Sequence, residues 1–415
     1  MKHIILGNGP AGVVAAETLR RTAPHDDILL VGNEDAPPYS RMAIPYLLEG
    51  NIDEAGTYLR KSDGHFDALR IGLWRGRAVA VNVEKRTVLF ADGHFEEYDR
   101  LLVATGSHPV RPPIPGIDLP EVHTCWTLAD ARAIAALAKP GSRVLQLGAG
   151  FIGCIIMESL VKRGVRLTVV EMGDRMVPRM MTPQAGGMIK RWVEGKGVRV
   201  VTRAGVERIE AGATAPLAVT LSTGEAVDGD LLIVAAGVAP NVAFLEGTGV
   251  GVAKGVLVDD TMQTSVAGIY AAGDVAEAPD LYSGKHLVAA IQPNAADQAR
   301  VAALNMAGQP ARMKGVLAIN VLDSLGMISS SFGEWQGVPG GEGVEQADEA
   351  KGRYLSLQFD GEVLVGATAI GWTEHVGVLR GLIQAKTRLG EWKQTLLQTP
   401  TRFVEAYLAC QRPAS

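Results

Sequence analysis

Gly7, Gly9 and Gly12 punctuate the run Lys-His-Ile-Ile-Leu-Gly-Asn-Gly-Pro-Ala-Gly over residues 2–12, and that spacing suits one task, holding a pyrophosphate against bare backbone. Gly7 allows a tight turn, Gly9 lets the main chain approach a phosphate, and Gly12 lets the following helix pack closely on the preceding strand. His3, Ile4, Ile5 and Leu6 are strand-like, and Val13 to Arg21 continue as an Ala-rich amphipathic helix. The start of that helix would offer free N–H groups and a positive dipole end to an anion. Taken alone, the pattern also fits a purely structural turn between strand and helix.

The unit occurs twice. Val144 to Leu147 is a second strand, Gly148-Ala149-Gly150-Phe151-Ile152-Gly153 a second glycine turn, and a helix runs on to Gly164. An acid belongs at the end of the next strand, about 20 residues on, to accept hydrogen bonds from a ribose. In the first copy the strand Ile28 to Val31 ends near Asn33 and Glu34. In the second, Leu167 to Val170 ends at Glu171, 18 residues after Gly153, where an ordinary solvated acid would also fit. Asp99 to Gly106 (Asp-Arg-Leu-Leu-Val-Ala-Thr-Gly) is matched by Asp230 to Gly237 (Asp-Leu-Leu-Ile-Val-Ala-Ala-Gly). Landmarks repeating in the same order give two dinucleotide-binding domains in succession. A further landmark occurs once: Gly268 to Asp274, Gly-Ile-Tyr-Ala-Ala-Gly-Asp, followed by an Ala-rich helix around Asn294 to Asn305.

The remaining elements support these turns. Arg77 to Val83 and Arg86 to Phe90, with a turn at Asp92-Gly93, read as an antiparallel meander, and Leu217 to Leu221 belongs to another. Thr127 and Asp130 stand at capping-box spacing before a helix ending near Lys139. A Pro-rich loop spans Ala36 to Tyr46. Gly337 to Ala350 reads as a Gly- and acid-rich loop, Arg353 to Ala369 as a hairpin about Asp360-Gly361, and Thr373 to Ala385, Glu391 to Leu397 and Arg402 to Ala409 as helices.

Composition narrows the class. A chain of 415 residues exceeds one ordinary core. With 49 Gly, 47% hydrophobic and 5% aromatic residues, it has the make-up of an α/β protein rich in tight turns. A formal charge of -5 argues against nucleic acid as a partner. The apolar run Leu231 to Ala236 is far short of the roughly 18 residues of a membrane-spanning helix. The N-terminal strand runs straight into the glycine turn with no signal-peptide pattern, so a cytoplasmic location is expected. Cys125, Cys154 and Cys410 are scattered, with neither a Cys-x-x-Cys pair nor a metal-like cluster, which suits a reducing compartment.

The double glycine turn, the two strand-end Ala-x-Gly segments and Ala271-Ala272-Gly273-Asp274 together resemble the FAD/NAD-linked pyridine nucleotide oxidoreductases, the superfamily of disulfide reductases, NADH oxidases and ferredoxin and rubredoxin reductases. The likeness is specific to about Gly308 and looser beyond, where it resembles their C-terminal interface domain. It implies an α/β fold of two Rossmann-like domains plus a C-terminal α+β domain. The FAD domain would cover 1–120 and 248–315, the inserted NAD domain 121–247, and the interface domain 316–415. Gly7, Gly9, Pro10, Ala11 and Gly12 would hold the FAD pyrophosphate, Asn33 or Glu34 its ribose, and Val79 would meet the adenine. Ala104, Thr105 and Gly106 would line FAD, Gly273 would sit at the flavin-side phosphate, and Asp274 would bind the ribityl chain. Gly148, Gly150, Phe151, Ile152, Gly153 and Glu171 would hold NAD, with Gly237 near it. The activity implied is hydride transfer from nicotinamide C4 to flavin N5, with electrons passed to a small redox protein of ferredoxin or rubredoxin type. Reduction of a small acceptor, or an NADH-binding flavoprotein subunit of a complex, are the alternatives, and homodimer formation is left open.

The departures from the family set the chemistry. Ser40-Arg41-Met42-Ala43-Ile44-Pro45-Tyr46 resembles the Asn-Cys-Gly-Leu-Pro-Tyr segment of NADH oxidases and coenzyme A-disulfide reductases, with Met42 at the redox Cys, and no Cys-x4-Cys is present. The Lys and Glu that pair near the flavin in ferredoxin reductases, within Arg-Pro-Pro-Leu-Ser-Lys and just after the second glycine turn, are matched to Tyr46 and Ile155. Arg41 is either a cation beside the flavin or a surface arginine. Met42 and Tyr46 are expected to pack on the isoalloxazine or merely in the core, and Cys154 to act as a small hydrophobe. Glu374 and His375 are expected to start a helix rather than reach the flavin. The expected site therefore holds no catalytic thiol and no metal.

Overall fold

The computed structural model describes residues 1–372 and 374–411. The chain forms two compact units: Met1–Ala43, Ile52–His108 and Val238–Leu317 make the first; Ile44–Asn51, Pro109–Gly237 and Ala318–Ser415 the second.

The first unit is built on a five-stranded sheet in the order Ile269–Ala271, Arg100–Val103, Lys2–Leu6, Asp27–Gly32, Ile71–Arg75, all parallel. The inner strands are unbroken runs of Ile, Leu and Val, as strands covered on both faces require. Helices Pro10–Thr22 and Gln292–Met306 pack against each other, through Ala and Val of the first and Ala295, Ala299, Ala302 and Ala303 of the second, in the core shared with the sheet. Ala78–Asn82, Thr87–Phe90 and Phe95–Glu97 form the expected meander, with a bulge at Val79.

The second unit holds an equivalent parallel sheet in the order Arg199–Thr202, Arg166–Glu171, Arg143–Leu147, Leu231–Val234, Val122–Thr124. Helix Leu128–Leu137 begins with a complete Thr127/Asp130 capping box. A five-stranded antiparallel sheet follows, ordered Ile319–Ser324, Met327–Gly333, Val363–Ile370, Arg353–Asp360, Glu342–Asp348. Helix Val376–Gln384 buries Leu379, Leu382 and Ile383 beside it.

Two local readings are corrected, and one further element is new. Gly337 to Ala350 is not a loop throughout, because Glu342–Asp348 is the edge strand of the C-terminal sheet. Its backbone pairs with Arg353–Asp360 while its acids stay exposed, so no hydrophobic alternation marks it, and charge on an edge discourages pairing with other chains. Within the expected Pro-rich loop, Ile44–Glu49 is a short helix belonging to the second unit. Arg163 fixes it there, donating to Leu48 O at 2.8 Å and to Ala138 O and Ala135 O of another helix end at 3.0 and 2.8 Å. The hairpin Ile319–Ser324/Met327–Gly333 was not foreseen, since Ser329-Ser330-Ser331 carry no apolar pattern although all three are buried. Thr373, where the first C-terminal helix was expected to start, lies outside the described residues.

Candidate functional site

The two glycine turns are built alike. Gly7 sits at φ +112°, and a Cβ there would lie 2.0 Å from Ala104 O; Gly148 sits at +106°, where a Cβ would lie 2.4 Å from Ala235 O. At Gly12 and Gly153 a Cβ would meet the carbonyl of Gly7 at 1.8 Å and of Gly148 at 2.4 Å. These four glycines are needed because backbone crosses backbone at each. Gly9 and Gly150 differ: a Cβ on either would have nothing within 4 Å. Each is the N-cap of its helix, Pro10–Thr22 and Phe151–Lys162, and neither helix has a side-chain cap or an acid in its first turn. The helix Leu128–Leu137 is fully capped by contrast. Two helices thus present unsatisfied N–H donors to a side-chain-free space, a cradle for a phosphate. Pro10 and Ala11 open the first helix, Phe151 and Ile152 the second.

Around the first turn, Gly273 (φ +83°) lies where a Cβ would be 3.1 Å from Ala11 Cβ, which sets Asp274 beside the start of the helix. Ser107 Oγ donates to Asp274 Oδ2 at 3.1 Å. Burial pushes the Asp274 carboxyl above its usual range, against the opposing effects of the Ser107 hydrogen bond and the Arg41 charge. Gly273 N–H donates to Gln298 Oε1 at 2.8 Å, and Gln298 Nε2 is buried without a partner. Thr105 Oγ1 donates to Asn241 O at 2.9 Å, Asn241 Nδ2 to Thr105 O at 2.8 Å, and Asn241 N–H to Gly106 O at 2.9 Å. Gln298 and Asn241 were missed in the sequence, where an isolated amide carries no signal.

At the end of strand Asp27–Gly32, Asn33 is exposed. Glu34 accepts from Tyr39 Oη and from Arg41 Nη2, both at 2.6 Å. The order Pro37-Pro38-Tyr39-Ser40-Arg41 also follows the Pro-Pro-Leu-Ser-Lys segment quoted above, which would put Arg41 rather than Tyr46 at its lysine. In the structure the cation of Arg41 is held by Glu34. Met42 and Tyr46 are 49% and 55% exposed, so neither is a core contact in this structure. Val79 is half-buried on the meander.

In the second unit Glu171 sits at the end of its strand and accepts from Ala149 N–H and Gly173 N–H, both at 2.7 Å, which ties the acid to the glycine turn. Gly237, at φ +106°, has open space at its Cβ position. Cys154 is fully buried and donates to Ala149 O at 3.6 Å; burial pushes its thiol up to about 12, and the Cys125 thiol likewise to about 12. Neither supplies a thiolate near neutral pH. Glu374 and His375 are exposed, and His375 stands at the N-cap position of its helix without a side-chain cap bond. Among the described residues, no helix is long and apolar enough to cross a membrane, and no three His, Cys, Asp or Glu gather as metal ligands.

Residues 1–299 match the model of the pyridine nucleotide-disulphide oxidoreductase family, and the chain belongs to it. It is an FAD-dependent NAD(P)H oxidoreductase of α/β fold. It is 34% identical over 405 residues to the NADH-dependent phenylglyoxylate dehydrogenase subunit epsilon of Aromatoleum evansii, covering 96% of this chain and 95% of that one. It is 32% identical to the ferredoxin–NAD(+) reductase component of the biphenyl dioxygenase system of Paraburkholderia xenovorans, covering 91% and 92%. A solved ferredoxin reductase from Rhodopseudomonas palustris superposes with a TM-score of 0.84 at 26% identity, over 91% of this chain and 93% of that one.

Proposed function

We propose that this protein moves electrons between NADH and a small redox protein through FAD, with no protein thiol in the path. The observation that carries this reading is the pair of uncapped glycine cradles in a chain whose two inner cysteines are sealed in the core. When bound, FAD supplies the capacity to take a hydride equivalent from NADH and to release the electrons onward. The Gly7, Gly9, Pro10, Ala11 and Gly12 backbone would hold its pyrophosphate, and Asp274, held by Ser107, would accept from its ribityl hydroxyls. Ala104, Thr105, Gly106 and Gly273 would line it, Val79 would meet the adenine, and Glu34 or Asn33 the ribose, with Arg41 beside them. Gly148, Gly150, Phe151, Ile152, Gly153 and Gly237 would receive the pyridine dinucleotide, with Glu171 turned to its ribose. The domain limits drawn above, 1–120 with 248–315 for FAD, 121–247 for NAD and 316–415 for the interface domain, are part of this proposal, as is a cytoplasmic location.

Anaerobic NADH titration of the purified yellow protein tests the reading. Two electrons per FAD, rapid flavin bleaching and slow turnover until a small redox protein is added are expected; four electrons per chain would overturn it. A second reading is favoured by the 34% identity over nearly the full length of a dehydrogenase subunit. There the chain would serve a multi-subunit enzyme, and co-purification at fixed stoichiometry with a catalytic subunit distinguishes it.

A further inference from the structure

We infer that Arg175 is a positioning residue for the pyridine nucleotide, acting through Val177 on the peptide of Ala149, and that it does not read a 2′-phosphate; the inference rests on the dinucleotide reading of the second glycine turn. In the sequence Arg175, four residues after Glu171, is a cation that could bind a 2′-phosphate and leaves the choice between NADH and NADPH open. The structure turns it inward. Its side chain is 17% exposed, with Nε donating to Met181 O at 3.0 Å, Nη2 to Pro178 O at 3.1 Å and Nη1 to Asp174 at 2.7 Å. The aliphatic stem lies over Gly186 of helix Pro183–Gly195, where a Cβ would meet Met176 O at 2.5 Å and Arg175 Cδ at 2.9 Å. A guanidinium donating to two carbonyls of its own loop closes residues 175–181 into a rigid turn, which a point charge on a flexible stem could not do.

That turn holds a strained residue. Val177 has φ +48° and is 1% exposed, a conformation that a β-branched residue adopts only when its surroundings enforce it. Its carbonyl accepts from Met180 and Met181 N–H at 2.9 and 3.0 Å, and its own N–H donates to Ala149 O at 2.8 Å. Glu171 takes the N–H of the same Ala149 at 2.7 Å. The middle residue of Gly148-Ala149-Gly150 is therefore held on both sides, by the acid before the loop and by the strained residue within it. Arg175 and the side-chain-free Gly186 keep that residue in place.

The test uses the FAD-loaded protein, with NAD+ and NADP+ binding measured by calorimetry alongside flavin content. Arg175→Met and Arg175→Lys are each expected to weaken NAD+ roughly tenfold, with FAD retained and kcat at saturating NADH nearly kept. Gly186→Ala, which leaves every charge in place but drives a Cβ into Met176 O and the Arg175 stem, should do the same. Val177→Gly in the Arg175→Met background should recover part of the lost NAD+ affinity, because glycine adopts positive φ unaided. NAD+ affinity unchanged within twofold in all three single variants, or selective loss of NADP+ binding in Arg175→Met, would overturn the inference. Absence of NAD+ binding by the unaltered protein would instead refute the dinucleotide reading itself.

Discussion

Ser107 and Asp274, 167 residues apart in sequence, meet in a 3.1 Å hydrogen bond beside the first glycine turn. The bond steadies a carboxylate that burial disfavours. An acid raised in the folded state costs stability as pH climbs from its ordinary value to the raised one, and the cost persists at neutral pH. Asp274→Asn should therefore make the apo-protein more stable than wild type at pH 7, with the gap closing as pH falls toward 3.8, while FAD binding weakens. Apo-protein melting against pH, beside flavin content, checks both; equal melting at pH 7 would contradict the burial argument.

The glycines of the first turn should separate in their effects. Gly9→Val meets open space at an ordinary φ of -74°, so the apo-protein should fold with near-normal stability yet retain little FAD. Gly12→Ala drives a Cβ into Gly7 O and should cost about 1–3 kcal/mol of stability. Melting of the apo forms and the ratio of flavin to protein absorbance distinguish the two.

Replacing Cys125, Cys154 and Cys410 together should leave NADH-dependent flavin reduction nearly unchanged. The cost should be confined to stability, about 1 kcal/mol at Cys154 if alanine leaves a small cavity there. In the native protein an alkylating reagent should reach the half-exposed Cys410 well before the buried pair. Stopped-flow bleaching and mass mapping of the labelled sites are the measurements.

NADH should be preferred to NADPH, because Glu171 accepts hydrogen bonds and would repel a 2′-phosphate. Glu171→Gln replaces an acceptor that already serves the Ala149 and Gly173 N–H groups, so NADH KM should rise about tenfold and the preference should narrow. Equal kcat/KM for the two donors in wild type would remove Glu171 from the ribose site.

His3 is fully buried with Nε2 2.8 Å from Asp26 Oδ2, and burial lowers its pKa from 6.5 despite that partner. A base lowered in the folded state leaves stability intact above 6.5 and lets it fall as the unfolded chain protonates below that value. Denaturant midpoints should decline between pH 7 and 5 in wild type. In His3→Leu they should be lower at pH 7 but flatter across that interval.

The sequence by itself determined the two glycine turns, their feeding strands, the Thr127/Asp130 cap and the repeat of Asp99 to Gly106 at Asp230 to Gly237. Each is local, since a strand's apolar run, a glycine's positive φ and a cap's hydrogen bond are settled within a few residues. Tertiary structure alone decided what meets these turns. Ser107 reaches Asp274 and Gln298 reaches Gly273 because the parallel strands Arg100–Val103 and Ile269–Ala271 end side by side, and Asn241 reaches Thr105 from a third segment; no short spacing encodes these meetings. Ile44–Glu49 joins the second unit because Arg163 satisfies carbonyls at two helix ends there. Glu342–Asp348 becomes a strand because its neighbour offers an unpaired backbone edge, whatever its own side chains prefer. Arg175 points inward because Gly186, eleven positions on, leaves room for its stem, and only packing reveals that.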